Sequence, residues 1–214
     1  TVGYLTEAAN TVGAQWMGAM PAKDGKNAGQ MLAGGMKAVL LLNTEPQWDS
    51  ALGAAAAQTL AQSEMVITLS PFKANMEFSD VLLPIAPFTE TSGSFVNAEG
   101  LLQSFYAVVK PLAEARPGWK VLRVLGNLLD IAGFEFQTSQ DVLARATNTL
   151  AGEVISVPVA LLNNTAAAVS SNIVAVQVPD PVVASIYQLD GIVRRANSLQ
   201  LTADARLARE GAGA

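Results

Sequence analysis

Three short apolar runs constrain the fold of this chain more than any other feature: Ala38-Val39-Leu40-Leu41-Leu42, Met65-Val66-Ile67-Thr68-Leu69 and Val81-Leu82-Leu83. Each has strand length, and continuous runs of this kind suit strands buried on both faces of a parallel sheet. Between the first two lies an Ala-rich stretch that Asp49 or Ser50 can cap, expected to run as a helix to about Ser63. Strand, helix and strand joined by loops of this length imply a right-handed crossover. The expected fold class is α/β: a doubly wound, mostly parallel sheet of Rossmann-like type, with a β-hairpin and a small irregular C-terminal segment.

The flanking segments fit that frame. Leu5, Ala8, Ala9, Val12 and Trp16 share one helical face, and a short helix is expected from Ala28 to Met36. Pro84 stops the third run. Phe95-Val96 and Leu101 to Val109 then read as two extended arms around Asn97-Ala98-Glu99-Gly100, with Gly100 free to take positive φ as the bulge of a three-residue hairpin loop. Pro117 suits a helix's first turn, Val121, Leu122, Leu125, Leu128 and Leu129 form its apolar stripe, and Gly133 ends it. Thr138 to Asp141 resembles a capping box ahead of a helix carrying Val142, Leu143, Ala146 and Leu150. Glu153 to Val178 reads as short β pieces or irregular packing, and the segment from Asp180 to Ala203 is expected to drape over the domain. The expected organisation is an α/β domain over 1–152, an appendage over 153–207 and a flexible tail over 208–214.

Composition removes whole classes of chemistry. Cysteine and histidine are both absent, which excludes disulfides, Cys/His zinc sites, cysteine-held iron–sulfur clusters, histidine-held haem and imidazole triads. Catalysis would have to use carboxylate, lysine, tyrosine or hydroxyl groups, or oxygen-ligated metals. The 13 basic residues do not cluster and face 18 acidic ones, so nucleic acid is not an expected partner. The longest apolar runs, including Val154–Leu162, fall short of the roughly 20 residues of a membrane span. The chain opens on Thr without a signal-peptide pattern and is expected to be part of something longer.

Individual motifs carry little chemistry. Gly25-Lys26 has neither the spacing nor the following hydroxyl residue of a phosphate loop, and reads as an ordinary flexible loop. Glu90 and Glu99 flank the hairpin, where capping or turn roles are expected rather than an acid/base pair. Asn43-Thr44-Glu45-Pro46 and Ser70-Pro71-Phe72-Lys73 follow the first two strands at the carboxyl edge, where open α/β sheets bind ligands. Asn43, Glu45, Ser70 and Phe72 are therefore the candidates for a vestigial pocket, and no catalytic or metal-ligating residue is expected.

The stretch Asp80 to Gly100 resembles the signature of the molybdopterin oxidoreductase superfamily, an Asp-Val-Val/Leu-Leu-Pro strand followed by Glu, a Gly-Thr/Ser-Phe arm and Asn-x-Glu-Gly. Its extension through Gln103-Ser104-Phe105, Val109 to Leu112 and Glu114 to Asn127 is similar to the family of large iron–sulfur subunits of NADH:quinone oxidoreductase (respiratory complex I). Tyr187 to Asp190, Arg194-Arg195-Ala196 and Ser198-Leu199-Gln200 are similar to the C-terminus of that family. The resemblance covers Leu5 to Asp141 well and Val178 to Asp204 more loosely. It implies a structural and assembly role in NADH-to-quinone electron transfer, with no cofactor in this sequence. It also implies iron–sulfur clusters in a preceding N-terminal part, and as partners the rest of the large iron–sulfur subunit and neighbouring peripheral-arm subunits of complex I. The location implied is the cytoplasmic side of the bacterial inner membrane, without membrane insertion. Two departures matter: Leu101 stands where many relatives carry Arg, and Asn43 to Pro46 replaces the Gly-Glu-Asn-Pro of active molybdenum enzymes. The alternatives are a formate-dehydrogenase-like molybdenum oxidoreductase, with half of a pterin pocket at the two sheet-edge loops, and an independent α/β protein binding a nucleotide or small molecule.

Overall fold

The computed structural model describes residues 6, 8–147 and 185–211. The expectations for Leu5, Leu150, Glu153–Val178 and the last three residues lie outside them. In chain order the elements begin with α1 (Thr11–Trp16), α2 (Ala28–Leu32), β1 (Ala38–Leu42), α3 (Pro46–Asp49), α4 (Ala54–Leu60), β2 (Met65–Ser70) and β3 (Val81–Pro84). They continue with β4 (Gly93–Val96), β5 (Leu102–Phe105), α5 (Gly118–Leu128), α6 (Ser139–Thr147), α7 (Ile186–Leu189), α8 (Gly191–Arg195), α9 (Asn197–Gln200) and α10 (Ala203–Gly211). Among the described residues two compact units result: those within 6–27, 69–72 and 83–147 form the first, and 28–68, 73–82 and 185–211 the second.

The fold is α/β, with a mostly parallel sheet and a separate antiparallel hairpin. The sheet has the order β1-β2-β3. Its direction is visible in the ladder: Asp80 N donates to Val66 O near the start of β3, and Ile85 N donates to Ser70 O past its end, so both strands advance together. Asp80 also accepts from Val66 N through its carboxylate at 2.7 Å, which is why an acid opens β3. Only β2 has the burial expected of a two-sided strand. In β1, at the sheet's edge, Leu41 is buried while Leu40 and Leu42 are exposed.

The second unit builds its core from Leu41, Leu60 and Val66, with Leu32, Val39 and Phe78 packed against them. Burying a side chain the size of Leu60 contributes roughly 2 kcal/mol. The expected long Ala-rich helix is shorter, because Gly53 sits at φ 55 and its flanking turn separates α3 from α4. Neither proposed cap serves α4. Asp49 turns back on Glu45 N, and Ser50 donates to Pro46 O. The described part of the C-terminal segment, 185–211, is helical rather than irregular, with Asp190 capping α8 through Ile192 N and Val193 N.

In the first unit the hairpin follows the turn chemistry. Val96 pairs with Leu102, Gly100 N donates to Asn97 O, and Gly100 has φ 81. The second arm is shorter than expected and leaves the ladder after Phe105. The Phe105 ring lies over Gly93, where an added Cβ would come within 2.6 Å of it. Pro117 precedes α5, which ends at Leu128 rather than near Gly133, since Asp130 already takes the left-handed conformation at φ 53. Leu128 and Leu129 of the expected stripe are exposed; Gly126 is the buried position, closed over by Phe134. The capping box of α6 is reciprocal: Asp141 accepts from Thr138 N and Gln137 N, while Thr138 Oγ1 accepts from Asp141 N.

Candidate functional site

The carboxyl end of β1 runs straight into a loop in which Thr44 and Glu45 are engaged by other groups of the chain. Asn43 adopts φ 48, a conformation asparagine tolerates better than most residues. Thr44 O accepts from Asn75 Nδ2 at 2.9 Å. Glu45 N donates to Asp49 Oδ2 at 2.7 Å, and Thr44 Oγ1 reaches the same oxygen at 3.3 Å. Glu45 O accepts from Trp48 N and Asp49 N, so the loop closes on the first turn of α3.

The Glu45 side chain is 10% exposed and faces two arginines from α8. Arg195 grips both its oxygens, Nη1 to Oε1 at 2.9 Å and Nη2 to Oε2 at 3.1 Å. Arg194 donates to Asp49 Oδ1 at 2.7 Å and lies 3.8 Å from Glu45 Oε2. Two carboxylates thus meet two guanidinium groups, and formal charge at the edge cancels. Gln200 ties α7, α8 and α9 together by donating to Tyr187 O and Val193 O. Sequence reasoning singled out Glu45 but not its partners. The only signal was the doublet Arg194-Arg195 itself, 150 positions away.

Ser70 and Phe72, the other two candidates, belong to the first unit, whereas Asn43 and Glu45 belong to the second. Ser70 is buried, and its hydroxyl accepts from Phe72 N at 3.1 Å. That bond is a local turn closure. Glu90 accepts from Leu112 N at 3.0 Å, and Glu99 is an exposed turn residue, so neither belongs to an acid/base pair. Around Gly25-Lys26 the backbone makes an ordinary turn, with Gly25 N donating to Ala22 O.

The first unit also holds a groove of about 470 Å³ between α1, the hairpin and α6, walled by Trp16, Val96, Phe105, Trp119 and Leu143. Asn10 braces it by accepting from Val96 N. A shallower recess lies beside Glu90, Lys110, Arg116 and Lys120. Among the described residues no group of three or more carboxylates could hold a metal ion, and no helix is long and apolar enough to cross a membrane.

Comparison with known proteins agrees with this architecture. Residues 1–128, more than half of the chain, match the family model for molybdopterin oxidoreductase. A putative formate dehydrogenase of Staphylococcus aureus is 38% identical over 80 residues, covering 35% of this chain and 8% of that protein. A probable oxidoreductase of Bacillus subtilis is 37% identical over 70 residues, covering 33% of this chain and 7% of that protein. The chain therefore spans under a tenth of the length of these curated relatives. With the strand–hairpin signature, the parallel sheet and the family match in agreement, the chain belongs to the molybdopterin oxidoreductase family.

Proposed function

We propose that this chain is a framework portion of a larger oxidoreductase of the formate-dehydrogenase type. The observation that carries this reading is the similarity to proteins described as putative formate dehydrogenases, at 34% to 38% identity over about 80 residues. Formate as substrate, and the assignment of a redox centre to other parts of the protein, belong to this proposal.

The family implies a pterin cofactor bearing phosphate, and the post-β1 edge was a candidate to hold part of it. Its residues do not fit that task. An anionic group needs unspent N–H donors or free cationic side chains. Here Glu45 N is spent on Asp49, both Glu45 oxygens are spent on Arg195, and Arg194 is drawn to Asp49. Leu101 supplies no guanidinium where many relatives carry one.

A second reading, a structural module within the large iron–sulfur subunit of NADH:quinone oxidoreductase, is favoured by that same self-satisfied edge and by Leu101. The full reading frame separates the two. Molybdenum and pterin in stoichiometric amount, with formate-dependent dye reduction, are expected on the first reading. Iron–sulfur absorbance without molybdenum, and co-purification with NADH-oxidising subunits, would sink it in favour of the second.

A further inference from the structure

We propose that the post-β1 edge is the docking seat of the chain's own C-terminal helices, closed by Arg194 and Arg195, and is not a seat for an anionic ligand. The edge of an open α/β sheet is where a ligand's phosphate is ordinarily received, because loop N–H groups point outward there. In this chain Glu45 and Asp49 bring two carboxylates to that place, and α8 brings two guanidinium groups to meet them. α7 lies against α3, so the contact joins helices as well as charges.

The two arginines are not equivalent. Arg195 makes a two-pronged contact with Glu45 while 38% of its side chain stays in solvent, so it keeps part of its hydration. The Arg194 side chain is only 8% exposed, and its Nε and Nη1 have no hydrogen-bond acceptor. Buried donors without acceptors are costly, so Arg194 returns less than its burial suggests. Arg195 is therefore the holding contact and Arg194 fills the space beside it. This assignment does not rest on formate chemistry, and stands or falls separately from it.

Hydrogen exchange read by mass spectrometry on the 214-residue chain tests the proposal. Arg195→Ala and Glu45→Gln should each speed exchange across 186–200 by about tenfold or more, since the first takes the two-pronged partner from the mostly buried Glu45 and the second removes the carboxylate charge that both arginines face. Residues 118–128, in the other unit, should exchange as in the parent. Exchanging the charges, Glu45→Arg with Arg195→Glu, should recover part of the protection. Should a truncation unfold the chain, faster exchange at 118–128 will reveal it. Arg195→Lys then gives the reading, because it keeps the charge but loses the two-pronged geometry, and 186–200 alone should speed up. Millimolar inorganic pyrophosphate should leave exchange at 43–49 unchanged in the parent. Slower exchange at 43–49 with pyrophosphate would overturn the proposal, as would identical exchange of 186–200 in the parent and every folded variant.

Discussion

At the hairpin tip Asn97 Oδ1 accepts from Glu99 N at 3.0 Å and from Leu101 N at 2.9 Å, and Gly100 supplies the positive φ. Every partner lies within four residues. The loop after β1 also begins with an asparagine in a demanding position, Asn43, yet its polar groups are satisfied by Asn75, Arg194 and Arg195 as well as by local ones. The first loop holds its shape from its own sequence. The second depends on segments 31 to 150 positions away. Stability in the two should therefore respond to different substitutions.

The largest expected effect is at the long-range contact. Glu45→Ala leaves two arginines facing Asp49 alone, one of them nearly buried, and should destabilise the second unit by about 2 to 3 kcal/mol. Denaturant titration read by circular dichroism measures it. A change under about 0.5 kcal/mol, the range of ordinary surface substitutions, would mean that the loop holds itself as the hairpin does.

Next comes the hairpin. Gly100→Ala places a Cβ in the left-handed region and should cost about 1 to 2 kcal/mol, with Gly100→Asn costing less. Leu101→Arg, on an exposed side chain, should stay within about 0.5 kcal/mol. Equal unfolding midpoints for Gly100→Ala and the parent would remove the glycine's conformational role and, with it, the contrast between the loops.

The same contrast explains what was legible in the sequence. Gly100, the Thr138–Asp141 box and the three strand cores are local patterns, so spacing and residue type located them. Capping of the Ala-rich helix is not legible in the same way. Asp49 and Ser50 have the right chemistry, but Gly53 starts α4 later and the two residues bond backwards into α3. β1 is not buried on both faces, and its sequence does not reveal this because nothing in an apolar run tells an edge strand from a central one. Position at or just past the end of a strand is what singles out Asn43, Glu45, Ser70 and Phe72 as edge candidates. Whether such residues face a ligand or one another depends on what folds back onto them. For Glu45 that is Arg195, which has no local signature.

The smallest effect, and the sharpest test of locality, is acid titration of Asp141. Its carboxylate accepts from Thr138 N, then from Gln137 N, and these bonds with the Thr138 side chain hold its pKa below the ordinary aspartate value. Bonds to the charged form favour that form. The sign follows: the folded value is the lower one, so the stabilisation is fully present above the ordinary value of about 3.9 and is lost as pH falls through the lowered one. Because Asp141 is fully exposed, the energetic consequence is small and should be read from the titration itself. Following the Asp141 carboxyl carbon by NMR should give a midpoint below that of an unstructured aspartate. Thr138→Ala should raise it only part of the way, because the backbone donors of residues 137 and 138 remain. Arg195→Ala should not move it, since every group that shifts Asp141 sits within four residues. A midpoint that shifted with Arg195→Ala would show that this cap, too, depends on distant structure, and the division between self-held and remotely held loops would no longer describe the molecule.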